Sequence, residues 1–234
     1  MTTPAVQFER VVKNYGGLRP LRIASLEVRS AERVAVSGPD AAAAEVLVNL
    51  VTGATLPDEG TVRIFGTSTA AIESGDEWLT SLDRFGIVSG RGVLLEASTL
   101  EQNLALPFTL QLEPMPQDVV AAVGSLASEC GIDADSLSRP AAGLPPALRA
   151  RVHLARAIAL GPQLLILEHP TADIPEPERA AFGRDVASAA QARGLSTLAI
   201  TADIEFAGVM AHRSLVLNAA TGALTDWKRK RWWR

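Results

Sequence analysis

The fold is decided by one stretch: Arg33-Val34-Ala35-Val36-Ser37-Gly38-Pro39-Asp40-Ala41-Ala42-Ala43-Ala44-Glu45-Val46-Leu47-Val48-Asn49-Leu50-Val51-Thr52-Gly53. Its first part reads as a short buried strand that stops at a Gly-Pro punctuator. Residues 41–53 then read as a helix, rich in Ala and Leu and closed by Gly53. A strand, a glycine turn and a helix in direct succession open an α/β unit. Upstream, residues 5–12 and 20–29 alternate apolar and polar side chains, as strands with one buried face do. Downstream, Pro57-Asp58-Glu59-Gly60 is a turn, and residues 61–66 and 84–88 are further strands. Residues 98–160 change character, with helices predicted at 99–106, 116–130 and 147–160 between prolines. Gln163-Leu164-Leu165-Ile166-Leu167-Glu168 is a continuous apolar run of the kind a parallel sheet buries on both faces. A helix at 176–193, a strand at 195–200, a helix at 203–211 and edge strands at 214–217 and 223–224 complete the chain.

Composition narrows the class. The 234 residues are 47% hydrophobic and 21% charged, enough for one substantial core and unlike a disordered or low-complexity chain. The net charge of −4 argues against nucleic acid as a partner. A single cysteine, Cys130, excludes a disulfide framework and any Cys-based zinc site, and it reads as a small buried residue. No apolar run approaches the length of a membrane span, and the first 25 residues lack a signal-peptide pattern, so a cytosolic protein is expected. The basic residues are unevenly divided: nineteen Arg but only three Lys, at 13, 228 and 230.

The run Val36-Ser37-Gly38-Pro39 with Leu47–Gly53, Pro57–Gly60 and Val62–Gly66 resembles the ATP-binding subunit of ABC transporters. The resemblance continues through Arg149–Ala159, Pro162, Leu164–Leu167 and Pro170-Thr171, and it spans roughly residues 5–225. It implies a P-loop-type doubly wound α/β sheet with an antiparallel β lobe and a helical lobe inserted at about 90–160. The domain would cover 1–226, followed by a tail at 227–234. Tyr15 stands where the family places an aromatic under adenine.

The positions that carry the family's chemistry read differently here. A P-loop needs glycines to wrap phosphates with backbone N–H groups, a lysine to reach the β/γ oxygens, and a hydroxyl on Mg²⁺. Aligned on Gly38, this chain has Asp40, Ala41 and Ala43 at or beside the glycine positions, Ala44 for the lysine and Glu45 for the hydroxyl. Two like charges about 4 Å apart repel by roughly 4 kcal/mol at a surface-like dielectric, so Asp40 and Glu45 oppose a polyphosphate. The expectation is a loop tightened into a plain helix start, with Asp40 at its N-terminus. No lysine lies between 13 and 228 to substitute, and nothing in the sequence brings Arg33 or Arg63 to the loop.

The remaining motifs follow suit. The signature position reads Leu144-Pro145-Pro146-Ala147-Leu148, and proline has no N–H to give a γ-phosphate. The acidic pair after the second nucleotide strand is Glu168-His169, the switch histidine maps to Ala202, and the lobe-junction glutamine maps to Gly90. Glu168 is expected to cap or pair internally, and His169 to be a hydrogen-bonded structural histidine. No catalytic residue, metal or cofactor is expected; ATP and Mg²⁺ would be the ligands if the site worked after all.

The implied function is an ABC-type subunit that has lost hydrolysis and serves a membrane transport complex as a structural or regulatory part. Two alternatives stand beside it: a slow, atypical ATPase subunit, and a soluble interaction scaffold without a transporter. Expected partners are an integral membrane permease, met by the groove near 90–113, and a second ATP-binding subunit as homodimer or heterodimer. The pattern at 94–107 is similar to family members that serve lipid, lipoprotein or peptide exporters. The tail Trp227-Lys228-Arg229-Lys230-Arg231-Trp232-Trp233-Arg234 holds five positive charges and three of the four tryptophans. It reads as an anchor on anionic lipid or on an acidic partner groove, set against the plain alternative of a frayed terminus. Together these place the protein at the cytoplasmic face of the cell membrane.

Overall fold

The computed structural model describes residues 3–227, and the tail residues Lys228–Arg234 lie outside them. Two sheets organise the chain. Strands β1 (Val6–Lys13), β2 (Leu21–Val28), β4 (Glu59–Ile64) and β5 (Thr67–Ser68) form an antiparallel sheet in the order β2-β1-β4-β5. The second sheet has six strands. They are β3 (Arg33–Ser37), β6 (Phe85–Val88), β7 (Leu164–Glu168), β8 (Ser196–Ile200), β9 (Arg213–Leu217) and β10 (Leu224–Asp226), in the order β10-β9-β3-β8-β7-β6. All pairs are parallel except β9 with β10. The helices are α1 (Ala41–Val51), α2 (Gly75–Leu82), α3 (Leu100–Ala105), α4 (Gln117–Glu129), α5 (Pro146–Ile158), α6 (Glu176–Ala192) and α7 (Ile204–Met210).

Period-two alternation on the central strands divides the core. Val34 and Val36, Leu164 and Ile166, and Leu198 and Ile200 point into one cluster with α1 and the antiparallel sheet. Ala35, Leu165, Leu167 and Ala199 point the other way, into a cluster with α3 to α7. Every residue of β7 and β8 is buried, and β7 accordingly reads as an apolar run closed by Glu168. The inserted segment packs α3 on α4 and α5, and α5 also lies on β6.

Helix starts fall into two chemical groups. Asp40, Ser74, Thr99 and Asp203 cap α1, α2, α3 and α7 with side-chain oxygens. Pro116, Pro145 and Pro175 instead precede α4, α5 and α6 with no side-chain cap. Helix α2 is absent from the sequence reading. It buries none of its residues, so no apolar stripe marks it, although Ser74 and Glu77 carry a capping signal. Its anchor is Trp78, whose indole N–H donates to the Thr52 carbonyl at 3.0 Å, at the end of α1.

Candidate functional site

The site forms around the junction of β3 and α1. Helix α1 begins at Ala41, and Asp40 occupies its cap. The Ala43 N–H donates to the Asp40 carboxylate and the Ala44 N–H to the Asp40 carbonyl, both at 2.8 Å. Two amides that a phosphate cradle would need are thus bonded inside the chain. Ala44 is fully buried in the α1-side core, so its Cβ faces packing rather than solvent. Gly38 has φ +112, and a Cβ there would sit 2.7 Å from the Leu217 carbonyl. Close approach to β9 therefore accounts for this glycine without any ligand.

Beside the loop lies a cavity of about 300 Å³ lined by Tyr15, Gly38, Asp40, Ala43, Arg19 and Arg22 among others. Burial, followed by the Asp40 charge, pushes the Tyr15 hydroxyl pKa up. Tyr15 also packs, partly buried, on the α1-side core.

Glu45 and Glu168 meet through a residue that motif reading missed. Arg91, in the loop after β6, places Nη1 2.6 Å from Glu45 Oε1 and Nη2 2.6 Å from Glu168 Oε2. Glu168, at the end of β7, is 11% exposed, whereas Arg91 and Glu45 are half exposed. Burial raises the Glu168 carboxyl pKa, Arg91 pulls it back, and the Glu45 charge raises it further. Glu168 therefore pairs internally, and the cation on it is Arg91. Arg33 is engaged elsewhere, donating from Nε to the Met210 carbonyl at 2.8 Å. No motif position specifies an arginine at 91; its only sequence signal is its place beside Gly90 at the lobe junction.

Gly90, Leu144, Pro146 and His169 come together around a second cavity of about 370 Å³, with Arg149, His153 and Asp173 on its wall. His169 departs from expectation. Its side-chain Nε2 is buried and has no hydrogen-bond partner among the described residues, and its backbone is left-handed at φ +44. Its main chain is tied, with N–H to the Ile200 carbonyl at 2.9 Å. The tight corner between β7 and Pro170 dictates the backbone, and Nε2 is left without a mate there. Of the signature-equivalent residues, Leu144 and Ala147 are buried, Leu148 packs partly buried, and Pro145 and Pro146 are exposed at the start of α5. Ala202 is exposed, and its neighbours hold the turn. Thr171 Oγ1 donates to Asp203 Oδ2 at 2.9 Å, and Asp203 Oδ1 accepts from the N–H groups of Glu205 and Phe206. Among the described residues, no group of three or more potential ligands stands ready for a metal.

Of the tail, Trp227 lies within the described residues. It packs, partly buried, on the helical-side core, and its N–H donates to the Ser214 carbonyl at 2.7 Å. Among the described residues, no helix is long and apolar enough to cross a membrane.

A parallel-cored sheet with an antiparallel lobe, an inserted helical segment and a strand-turn-helix corner defines a P-loop-type α/β cassette. A dimeric bacterial ABC transporter cassette superposes with a TM-score of 0.75 at 18% identity, covering 96% of this chain and 99% of that one. The cbiO1 subunit from Clostridium perfringens gives a TM-score of 0.80 at 19% identity, covering 95% of this chain and 87% of that one. The chain belongs to the ABC transporter family, whose pattern matches residues 21–172. It is 29% identical over 192 residues to the Fe(3+) ions import ATP-binding protein FbpC of Mesorhizobium japonicum, covering 82% of this chain and 51% of that protein. It is 30% identical over 218 residues to the methionine import ATP-binding protein MetN of Caulobacter vibrioides, covering 92% and 64%. It is 27% identical over 210 residues to the lipoprotein-releasing system ATP-binding protein LolD of Alcanivorax borkumensis, covering 88% and 91%. The chain spans 51% to 64% of the length of the iron and methionine import proteins.

Proposed function

We propose that this chain is an ATP-binding-type subunit of a membrane transport complex that has lost ATP hydrolysis and acts as a structural or regulatory part. The observation that carries this reading is the closure of the strand-turn-helix corner. The amides of Ala43 and Ala44 are bonded to Asp40, and the carboxylates of Glu45 and Glu168 share the single positive charge of Arg91. A triphosphate entering there would meet Asp40 and Glu45, in a core with no lysine between residues 13 and 228. ATP and Mg²⁺ are accordingly not assigned as ligands, and no catalytic group is proposed.

The family supports a permease partner at the inner membrane face and pairing with a second cassette, and the surface offers matching features. Val93, Leu95, Phe108 and Leu110 are exposed along the segment 93–110, with Leu110 at 87%. Exposed apolar side chains in this segment are of the kind a helix of a membrane subunit would cover. The relatives named above serve iron and methionine import and lipoprotein release, so the likeness lies in the cassette and assigns no cargo. A role for the tail at anionic lipid rests on its five cations and three tryptophans.

Isothermal titration of the full chain with Mg·ATP tests the reading. No saturable heat is expected, and micromolar affinity overturns it. One observation favours a second reading, that of a slow ATPase with an atypical loop: the cavity beside Tyr15 stays open, with Arg19 and Arg22 on its wall. Micromolar affinity with measurable turnover would select that reading instead.

A further inference from the structure

The loop between β6 and α3, residues 89–99, is held at several points along its length. Toward the inserted segment, Arg156 donates to the Val93 carbonyl at 2.7 Å, and Arg149 pairs with Glu96 at 2.8 Å. Asn103, fully buried, accepts from the Leu95 N–H and donates to the Leu95 carbonyl, at 2.8 and 3.0 Å. Toward the sheet and α1, the side-chain ties among the described residues are those of Arg91: one ion pair to Glu45 on α1 and one to Glu168 on β7.

We propose that Arg91 is a permanent latch that clamps the lobe-junction loop, and with it the helical segment, onto the α/β core through Glu45 and Glu168. Three features make the latch one-sided. Glu168 is nearly buried, so releasing the guanidinium would strand a charge in low dielectric. A planar guanidinium spans two carboxylates at once, which an ammonium point charge does less well. The loop itself is turned tightly enough to aim Arg91 back at the core, with Gly92 N–H on the Ser89 carbonyl at 3.1 Å and Arg91 N–H near Ser89 Oγ. Gly92 lies so close to His153 of α5 that a Cβ there would approach Nδ1 to 2.9 Å, so the latch and the helical segment share one turn.

The latch rests on the proposed loss of nucleotide chemistry, since Glu45 and Glu168 stand at the positions that would face Mg²⁺, although none of its three groups lines the cavity beside Tyr15. Its consequence is a junction fixed by the chain's own cation, where the two lobes keep one relation without a ligand between them.

Hydrogen exchange on the full chain tests this. Arg91→Ala should speed exchange of the amides in 89–99 by about tenfold while β1, β2 and β4 exchange as before. Arg91→Lys should give a smaller gain, and Glu45→Gln a partial one. The double variant Arg91→Ala with Glu45→Gln should match Arg91→Ala alone, since both act through the same pair. Unchanged exchange in 89–99 overturns the latch, as does an equal acceleration everywhere, which would report general destabilisation. If Arg91→Ala does not fold, the comparison of Arg91→Lys with Glu45→Gln decides: loosening confined to 89–99 in either supports the latch, and its absence in both refutes it.

Discussion

Gly38 shows how packing alone can demand a glycine in a strand-to-helix turn. Its φ of +112 and the 2.7 Å that would separate a Cβ from the Leu217 carbonyl are demands of the fold. Gly38→Ala should therefore cost about 2–4 kcal/mol, the sum of a strained dihedral and an overpacked contact. Urea unfolding at neutral pH measures it, and a change below about half a kcal/mol would show that β9 yields. Arg91 is the opposite case. Motif reading assigns roles by position, and the arginine that follows Gly90 holds no motif position; only the fold brings it to Glu45 and Glu168. His169 was legible as a departure from the acidic pair, but its unpartnered Nε2 was not, because ring partners come from elements distant in sequence.

At the scale of the element, the helix that matters most is α1. Its capping oxygen comes from Asp40, the residue that stands among the positions where a phosphate loop would lie. Asp40→Ala should lose about 1 kcal/mol of stability. Asp40→Asn, which keeps a capping oxygen, should lose much less. Denaturation midpoints of the two variants check this, and equal losses would assign the effect to charge rather than to the cap. Apart from the two-residue β5, the strands were legible because apolar alternation and apolar runs are local signals, and so were helices α4 to α6, marked by preceding prolines. Helix α2 escaped because it is anchored through Trp78 and buries nothing.

At the scale of the whole molecule, stability should respond to acid through His153. Burial, then the charges of Arg156 and Arg149, holds its imidazole below the ordinary value. The unfolded chain then binds a proton before the folded one does. The stability this group supplies is complete above about pH 6.5 and drains away as pH falls below it. His153→Leu should flatten that part of the curve, as followed by urea unfolding from neutral to mildly acid pH; an unaltered slope would clear His153 of any part. Charge is also distributed at this scale. The tail's five cations mask a body of 17 basic and 26 acidic residues.

The split of the central sheet between two cores carries a consequence for descent. Leu164 and Ile166 answer to α1, while Leu165 and Leu167 answer to α5, α6 and α7. Neighbouring letters on one strand thus have separate correspondents, and the two sets should drift independently among related genes. A lineage in which α1 changes size or tilt has to adjust the first set only. The second set, which supports the helical side, should keep its older spelling.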